Sequence, residues 1–249
     1  MKAIATRSVL IAGLALTLGL AACKKSDDAA ATSTSGDPVA AVAPPAGKAW
    51  TDVVSATPDG GMRMGNPAAP IKMVEYGSLS CPHCARFAAE STKVLLEKYV
   101  GTGKVSYEFR SFAIHPQDVP LTVLVRCAPP EAFFPMVEQV YANFDGLSAS
   151  TQKGAPALQK VGNLPPNQRF VAIADALGFT DFFAARGIST DQAHACLADT
   201  KGAERVAAEA QKAGDSGIDS TPTILVNGSK ANGNTWADVE PVLQRSGAR

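Results

Sequence analysis

Apolar and polar residues alternate from Ile71 to Tyr76, which predicts a strand with Ile71, Met73 and Glu75 on one face and Lys72, Val74 and Tyr76 on the other. One carboxylate, Glu75, therefore sits on an apolar face. The period then changes: Cys84, Phe87, Ala88, Ser91 and Leu95 form one stripe of a helix that stops at Gly101. Val105 to Phe112 alternates as a second strand, ended by His115-Pro116. From Gln117 to about Thr200 the pattern is mostly helical, with an apolar face at Phe133, Phe134, Val137, Val140, Tyr141 and Phe144 and further candidate helices over Asn167–Leu177 and Thr190–Leu197. Gly154, Gly162, Pro165 and Pro166 punctuate this block, and no internal repeat is present. Lys201 to Ala213 predicts a helix closed by Gly214, Thr223 to Val226 a strand, Asn227-Gly228 a hairpin turn, and Trp236, Val239 and Leu243 a last helix.

The ends of the domain are less regular. Trp50 to Ala56 predicts a short first strand, and Pro58-Asp59-Gly60-Gly61 a turn. Residues 24–49 are rich in Ala, Ser, Thr, Asp, Pro and Gly with no periodic apolar face, which predicts a flexible tether with a reach of about 25 to 30 Å. Ahead of it, Lys2 and Arg7 precede an apolar run from Val9 to Leu20, too short to span a bilayer as a helix. Residues 1–22 are accordingly expected to be a secretory signal peptide. Leu20-Ala21-Ala22-Cys23 resembles the bacterial lipoprotein box, so Cys23 is the expected lipidated first residue of the mature chain.

Composition adds two constraints. The 23 basic and 23 acidic side chains become 21 and 23 once the leader is removed, which gives no electrostatic reason to expect nucleic acid as a partner. Setting Cys23 aside leaves four cysteines, Cys81, Cys84, Cys127 and Cys196, in a chain expected to meet an oxidising compartment, where even sets of thiols are usually paired.

Cys81-Pro82-His83-Cys84 is where these threads meet. Two thiols separated by two residues, at the point where a strand feeds a helix, read as a pair that cycles between dithiol and disulfide. Cys84 lies on the buried stripe, and Cys81 is expected to be exposed at the helix N-terminus, beside unpaired backbone N–H groups. The order of elements is that of an α/β chain, a thioredoxin-like fold over residues 50–249 with a helical insertion at about 117–200.

Three stretches make the likeness specific: Val74-Glu75-Tyr76 through the CPHC to Phe87, the lead-in Gly65-Asn66-Pro67-Ala68-Ala69-Pro70, and Thr221-Pro222-Thr223-Ile224-Leu225-Val226-Asn227-Gly228. Over residues 50–245 the chain resembles the DsbA-like thiol-disulfide oxidoreductases. The resemblance implies that Cys81 is the nucleophile, supported by the helix N-terminus and a protonated His83, and that Cys84 is the resolving thiol. Pro222 resembles the family's cis-proline, with Thr221 offering its backbone to an extended substrate segment. Glu75 resembles a buried acid that moves a proton to or from Cys84, against the alternative of a glutamate facing water. Cys127 and Cys196 are expected to close the insertion with a structural disulfide; a second redox pair is the alternative, which their Cα separation would discriminate.

The implied activity is that of a cell-envelope oxidase, lipid-anchored, monomeric and facing the periplasm, which passes its Cys81–Cys84 disulfide to reduced or unfolded exported proteins. No diffusible cofactor or metal is expected, because the cysteines are the redox centre, and a membrane oxidant of DsbB type would recycle them. A disulfide isomerase or reductase is the alternative within the same chemistry. A metal-binding lipoprotein is the alternative from another class, although a closed zinc site prefers four ligands and only one close cysteine pair is present.

Overall fold

In the computed structural model, which describes residues 36–249, the strand around Glu75 is central. Six strands form one sheet: β1 (Val54–Ala56), β2 (Met62–Met64), β3 (Ile71–Gly77), β4 (Val105–Ser111), β5 (Thr223–Val226) and β6 (Ser229–Lys230), in the order β1-β2-β4-β3-β5-β6. β3 runs parallel to β4 and antiparallel to β5, so Glu75 faces Phe109 on one side and Ile224 on the other. A parallel neighbour needs a long crossover. Here it is helix α1 (Pro82–Val94), which widens into π-type turns over Leu95–Val100 before the chain re-enters the sheet at Val105. Cys84, Phe87, Ser91 and Leu95, four of the five positions of the predicted stripe, are its buried face.

Between β4 and β5 lie α2 (Asp118–Val125), α3 (Phe133–Ala142), α4 (Phe144–Gly154), α5 (Pro166–Ala176), α6 (Phe179–Ala184), α7 (Thr190–Ala198) and α8 (Thr200–Asp215). The insertion packs on the sheet through Phe133 and Phe134, whose rings lie 6.0 Å from Phe109 and 5.4 Å from Tyr107. Helix α9 (Trp236–Arg245) closes the chain, and its Trp236 meets Phe87 of α1 edge-on at 6.4 Å. The Asn227-Gly228 turn forms as expected, with φ of 50° and 81° at its two residues.

Two expectations shift. Trp50–Asp52 is a 3₁₀ turn, and only Val54–Ala56 of the expected first strand pairs. Its partner β2 and the six-residue α6 are too short to show a period of their own. The part of the expected tether from Gly36 to Ala49 is bound to the domain: Gly36 N–H donates to Arg245 O at 2.7 Å, Val39 N–H to Gly247 O at 2.8 Å and Val42 N–H to Thr102 O at 2.9 Å. The buried Trp50 secures it, donating from Nε1 to Val42 O at 2.7 Å. Main-chain hydrogen bonds hold this segment, and side-chain periodicity carries no trace of them. The leader and Cys23 lie outside the described residues.

Candidate active site

β3 ends at Gly77, where any side chain would run into the Phe109 ring, and four residues later Cys81 caps α1 with extended backbone (φ −91°, ψ 123°). Pro82 occupies the first helical position, where its missing N–H costs nothing and its fixed φ suits the helix. The cap is held from both sides: Cys81 N–H donates to Ser78 O at 3.2 Å, and Cys81 O accepts from Ala85 N at 3.1 Å. Cys81 and Cys84 are both free thiols and both buried.

Burial of Cys81 differs from the expected exposure, since its side chain is only 4% accessible. The cover comes from 140 positions away. Thr221-Pro222, joined by a cis peptide bond, lies over the pair, and Cys81 Sγ donates to Thr221 O at 3.5 Å. The Cys81 thiol is nevertheless lowered to about 5, first by a hydrogen bond from the Cys84 thiol, against burial, and then by donors at Thr221 and the amides of Cys84 and His83. Among the described residues the buried Thr221 hydroxyl has no hydrogen-bond partner. Cys84 moves the opposite way: burial raises its thiol well above the ordinary value, and negative charge on Cys81 and Glu75 adds to the rise.

His83 contributes through its backbone. Its imidazole is exposed, and Nδ1 lies 2.8 Å from Arg86 Nη2. A guanidinium only donates, so that nitrogen accepts in this arrangement. The His83 amide at the helix N-terminus is among the donors that lower the Cys81 thiol.

The structure buries Glu75. Tyr107, opposite Met73 in β4 and so a diagonal neighbour of Glu75 on the same face, donates its hydroxyl to Glu75 Oε2 at 2.6 Å. Oε1 has no partner. Desolvation raises the carboxyl to about 7, against the Tyr107 hydrogen bond. Glu75 and Tyr107 reach a cavity of about 340 Å³ whose walls include Met64, Leu95 and Phe134. The folded protein therefore favours the protonated acid. Its ionisation costs stability that is intact below the ordinary value of 4.5, declines as pH rises towards 7, and is lost in full above it. Glu75→Gln is accordingly expected to be more stable than the wild type by about 3 kcal/mol at pH 8 and equal to it near pH 4, as measured by urea unfolding. A constant difference at both pH values would show that Glu75 does not titrate in this range.

Cys127, just after α2, and Cys196 in α7 form a disulfide with a Cα separation of 6.0 Å. The bond joins two helices of the insertion. His194 bonds Asp175 at 2.9 Å, and His115 Nδ1 lies 3.1 Å from Ser80 Oγ in the loop before Cys81. Pattern reading passed over Ser78, Tyr107, Asp118 and Tyr141, all close to the pair. For Tyr107 the available signal is its phase in β4; for Asp118 it is an acid at a helix start.

A family model described as Thioredoxin matches residues 57–245. The chain belongs to the thioredoxin family. Within this family it is similar to a crystal structure described as a protein-disulfide isomerase from Novosphingobium aromaticivorans, with 31% identity and a TM-score of 0.69 over 74% of this chain and 96% of that one. Alpha-DsbA1 of Wolbachia pipientis shares the fold at 23% identity and a TM-score of 0.59, over 75% of this chain and 91% of that one. A Rickettsia prowazekii protein named as a candidate protein-disulfide oxidoreductase is 30% identical over 121 residues, 47% of this chain and 44% of that protein. The chain thus spans less than half the length of the curated relatives it matches. The thioredoxin-like architecture with a helical block between β4 and β5 is the one the order of elements predicts.

Proposed function

We propose that this chain is a thiol-disulfide oxidoreductase that donates the Cys81–Cys84 disulfide to reduced proteins of the cell envelope. One observation carries the reading: two free thiols share the N-terminus of α1, Cys81 at the cap beside the Thr221 carbonyl and Cys84 fully buried one turn on. A client thiolate attacks Cys81 Sγ, the S–S bond breaks, and Cys84 leaves with the electron pair and takes a proton, which in this reading comes from Glu75. A second client thiolate then attacks the client sulfur of the mixed disulfide and expels Cys81 as a stable thiolate. The client loses two electrons and the enzyme gains them, and a membrane oxidant of DsbB type would remove them. The Thr221 backbone beside Cys81 suits an added client strand.

A lipid anchor at Cys23, an envelope location and a monomeric state complete this reading, supported by the leader and the Leu-Ala-Ala-Cys run. Among the described residues no helix is long and apolar enough to cross a membrane.

An isomerase or reductase is the second reading, favoured by the description of the Novosphingobium protein. The reduction potential separates the two. A Cys81 thiol about two units below neutral pH stabilises the dithiol, which raises the potential by about 60 mV over a pair protonated at pH 7. Equilibration against glutathione is expected to place the pair at or above the glutathione-buffered range, with Cys81 alkylation titrating near 5. A value as reducing as that of thioredoxin would sink the oxidase reading and leave the isomerase or reductase.

A further inference from the structure

Between the sheet, α1 and α3 lies the cavity of about 340 Å³ that Glu75 and Tyr107 reach. A cavity of about 150 Å³ suffices for a benzene ring. This one therefore has room for an aromatic ring with a short chain. Leu95, Phe134 and Val137 give it apolar walls, and Tyr107 and Tyr141 add two further aromatic rings.

Its charge is one-sided. Four carboxylates line it, the buried Glu75 and the exposed Asp52, Glu131 and Glu138, and none of its lining residues is basic. Lys93 lines the open groove alongside and not the cavity. Among the described residues none of the four carboxylates is in an ion pair. Glu75 is the incomplete part of this wall: it is 2% exposed, Oε2 accepts from the Tyr107 hydroxyl, and Oε1 has no hydrogen-bond partner. A buried polar atom left in that state is stabilised by a molecule that supplies the missing donor.

We propose that this cavity is a binding site for a small organic amine, with its ammonium group on Glu75 and its aromatic or branched apolar body among Leu95, Phe134 and Val137. An ammonium supplies only donors, which is what an ionised Oε1 lacks. Ammonium and carboxylate together carry no net charge, so the pair is tolerated away from water, and the rings of Phe134, Tyr107 and Tyr141 favour a cation further. The three exposed carboxylates raise the concentration of cations at the opening. A neutral alcohol of the same shape meets the same walls and forgoes the charge. The site is independent of the direction in which Cys81–Cys84 exchanges.

Calorimetric titration of the full chain at neutral pH, with 2-phenylethylamine and with 2-phenylethanol as its neutral counterpart, tests the proposal. The amine is expected to saturate a single site and to bind about tenfold more tightly than the alcohol, or better. Glu75→Gln is expected to remove that preference, leaving both compounds weakly and equally bound. Ala88→Leu, which fills space at the α1 wall, is expected to weaken both. Equal affinity of the two compounds for the wild type, or no saturable binding of the amine, would overturn the proposal. So would a preference that survives Glu75→Gln, or one that vanishes in about 1 M salt, where screening acts within about 3 Å, because the exposed carboxylates alone would then hold the amine. Affinities unmoved by Ala88→Leu would place the amine elsewhere and overturn the site. That variant also keeps the test decisive if Glu75→Gln does not fold.

Discussion

Replacing Cys84 with serine is expected to abolish turnover and leave a protein that captures clients through Cys81. The two cysteines are not interchangeable. Cys81 caps α1 under the Thr221-Pro222 loop, with donors arranged for its thiolate, so Cys84→Ser retains the nucleophile and loses some of its support. That thiolate can still attack a disulfide-bonded peptide, but no second sulfur remains to resolve the adduct. A mixed disulfide should therefore accumulate, visible by mass spectrometry and removed by reductant. Cys81→Ser gives the complementary result: Cys84 is fully buried and its thiol is raised, so neither adduct nor turnover above the uncatalysed background is expected. Turnover by Cys84→Ser, or adducts forming as fast on Cys81→Ser as on Cys84→Ser, would show that the roles are wrongly assigned.

What was legible in the sequence depended on the range of the interaction. Pro82 next to Cys81, and Asn227-Gly228 between two short strands, are local signals, and the backbone obeys them because φ at those positions is decided within a few bonds. Burial of Glu75 follows from strict alternation in β3, and the stripe from Cys84 to Leu95 from helical periodicity. Long-range contacts left no such signature. Cys81 looks exposed when only its own helix is considered, because its cover comes from Thr221. The link from Asp118 to Ser78 spans 40 positions and joins a helix start to a loop, two places where polar residues are ordinarily read as solvated. Gly36 to Ala49 reads as tether for a related reason: its attachments are backbone groups, which every sequence has.

Removing the Cys127–Cys196 disulfide should have the largest effect on stability while leaving the redox chemistry intact. The bond closes a loop of 69 positions that contains α3 to α6 and joins the end of α2 to α7. In the chain-entropy model a loop of that length contributes about 4 kcal/mol by restricting the unfolded chain. For a domain of this size each kcal/mol moves the melting temperature by about 2–4 °C, so Cys127→Ala with Cys196→Ala is expected to melt about 8–16 °C lower than the wild type. Exchange at Cys81–Cys84 well below that temperature should be unchanged, because α2 keeps its own buried face of Leu121, Leu124 and Val125. The alternative of a second redox pair makes an opposite prediction. A relay would have to lose and regain the Cys127–Cys196 bond during turnover, so its removal would slow the cycle while the melting temperature of the wild type would differ little between oxidised and reduced forms. Mass spectrometry of alkylated samples across a glutathione series decides between them. Cys81 and Cys84 reducing first, with Cys127 and Cys196 still joined, assigns the second bond to the fold; the two pairs titrating together would assign it to the chemistry.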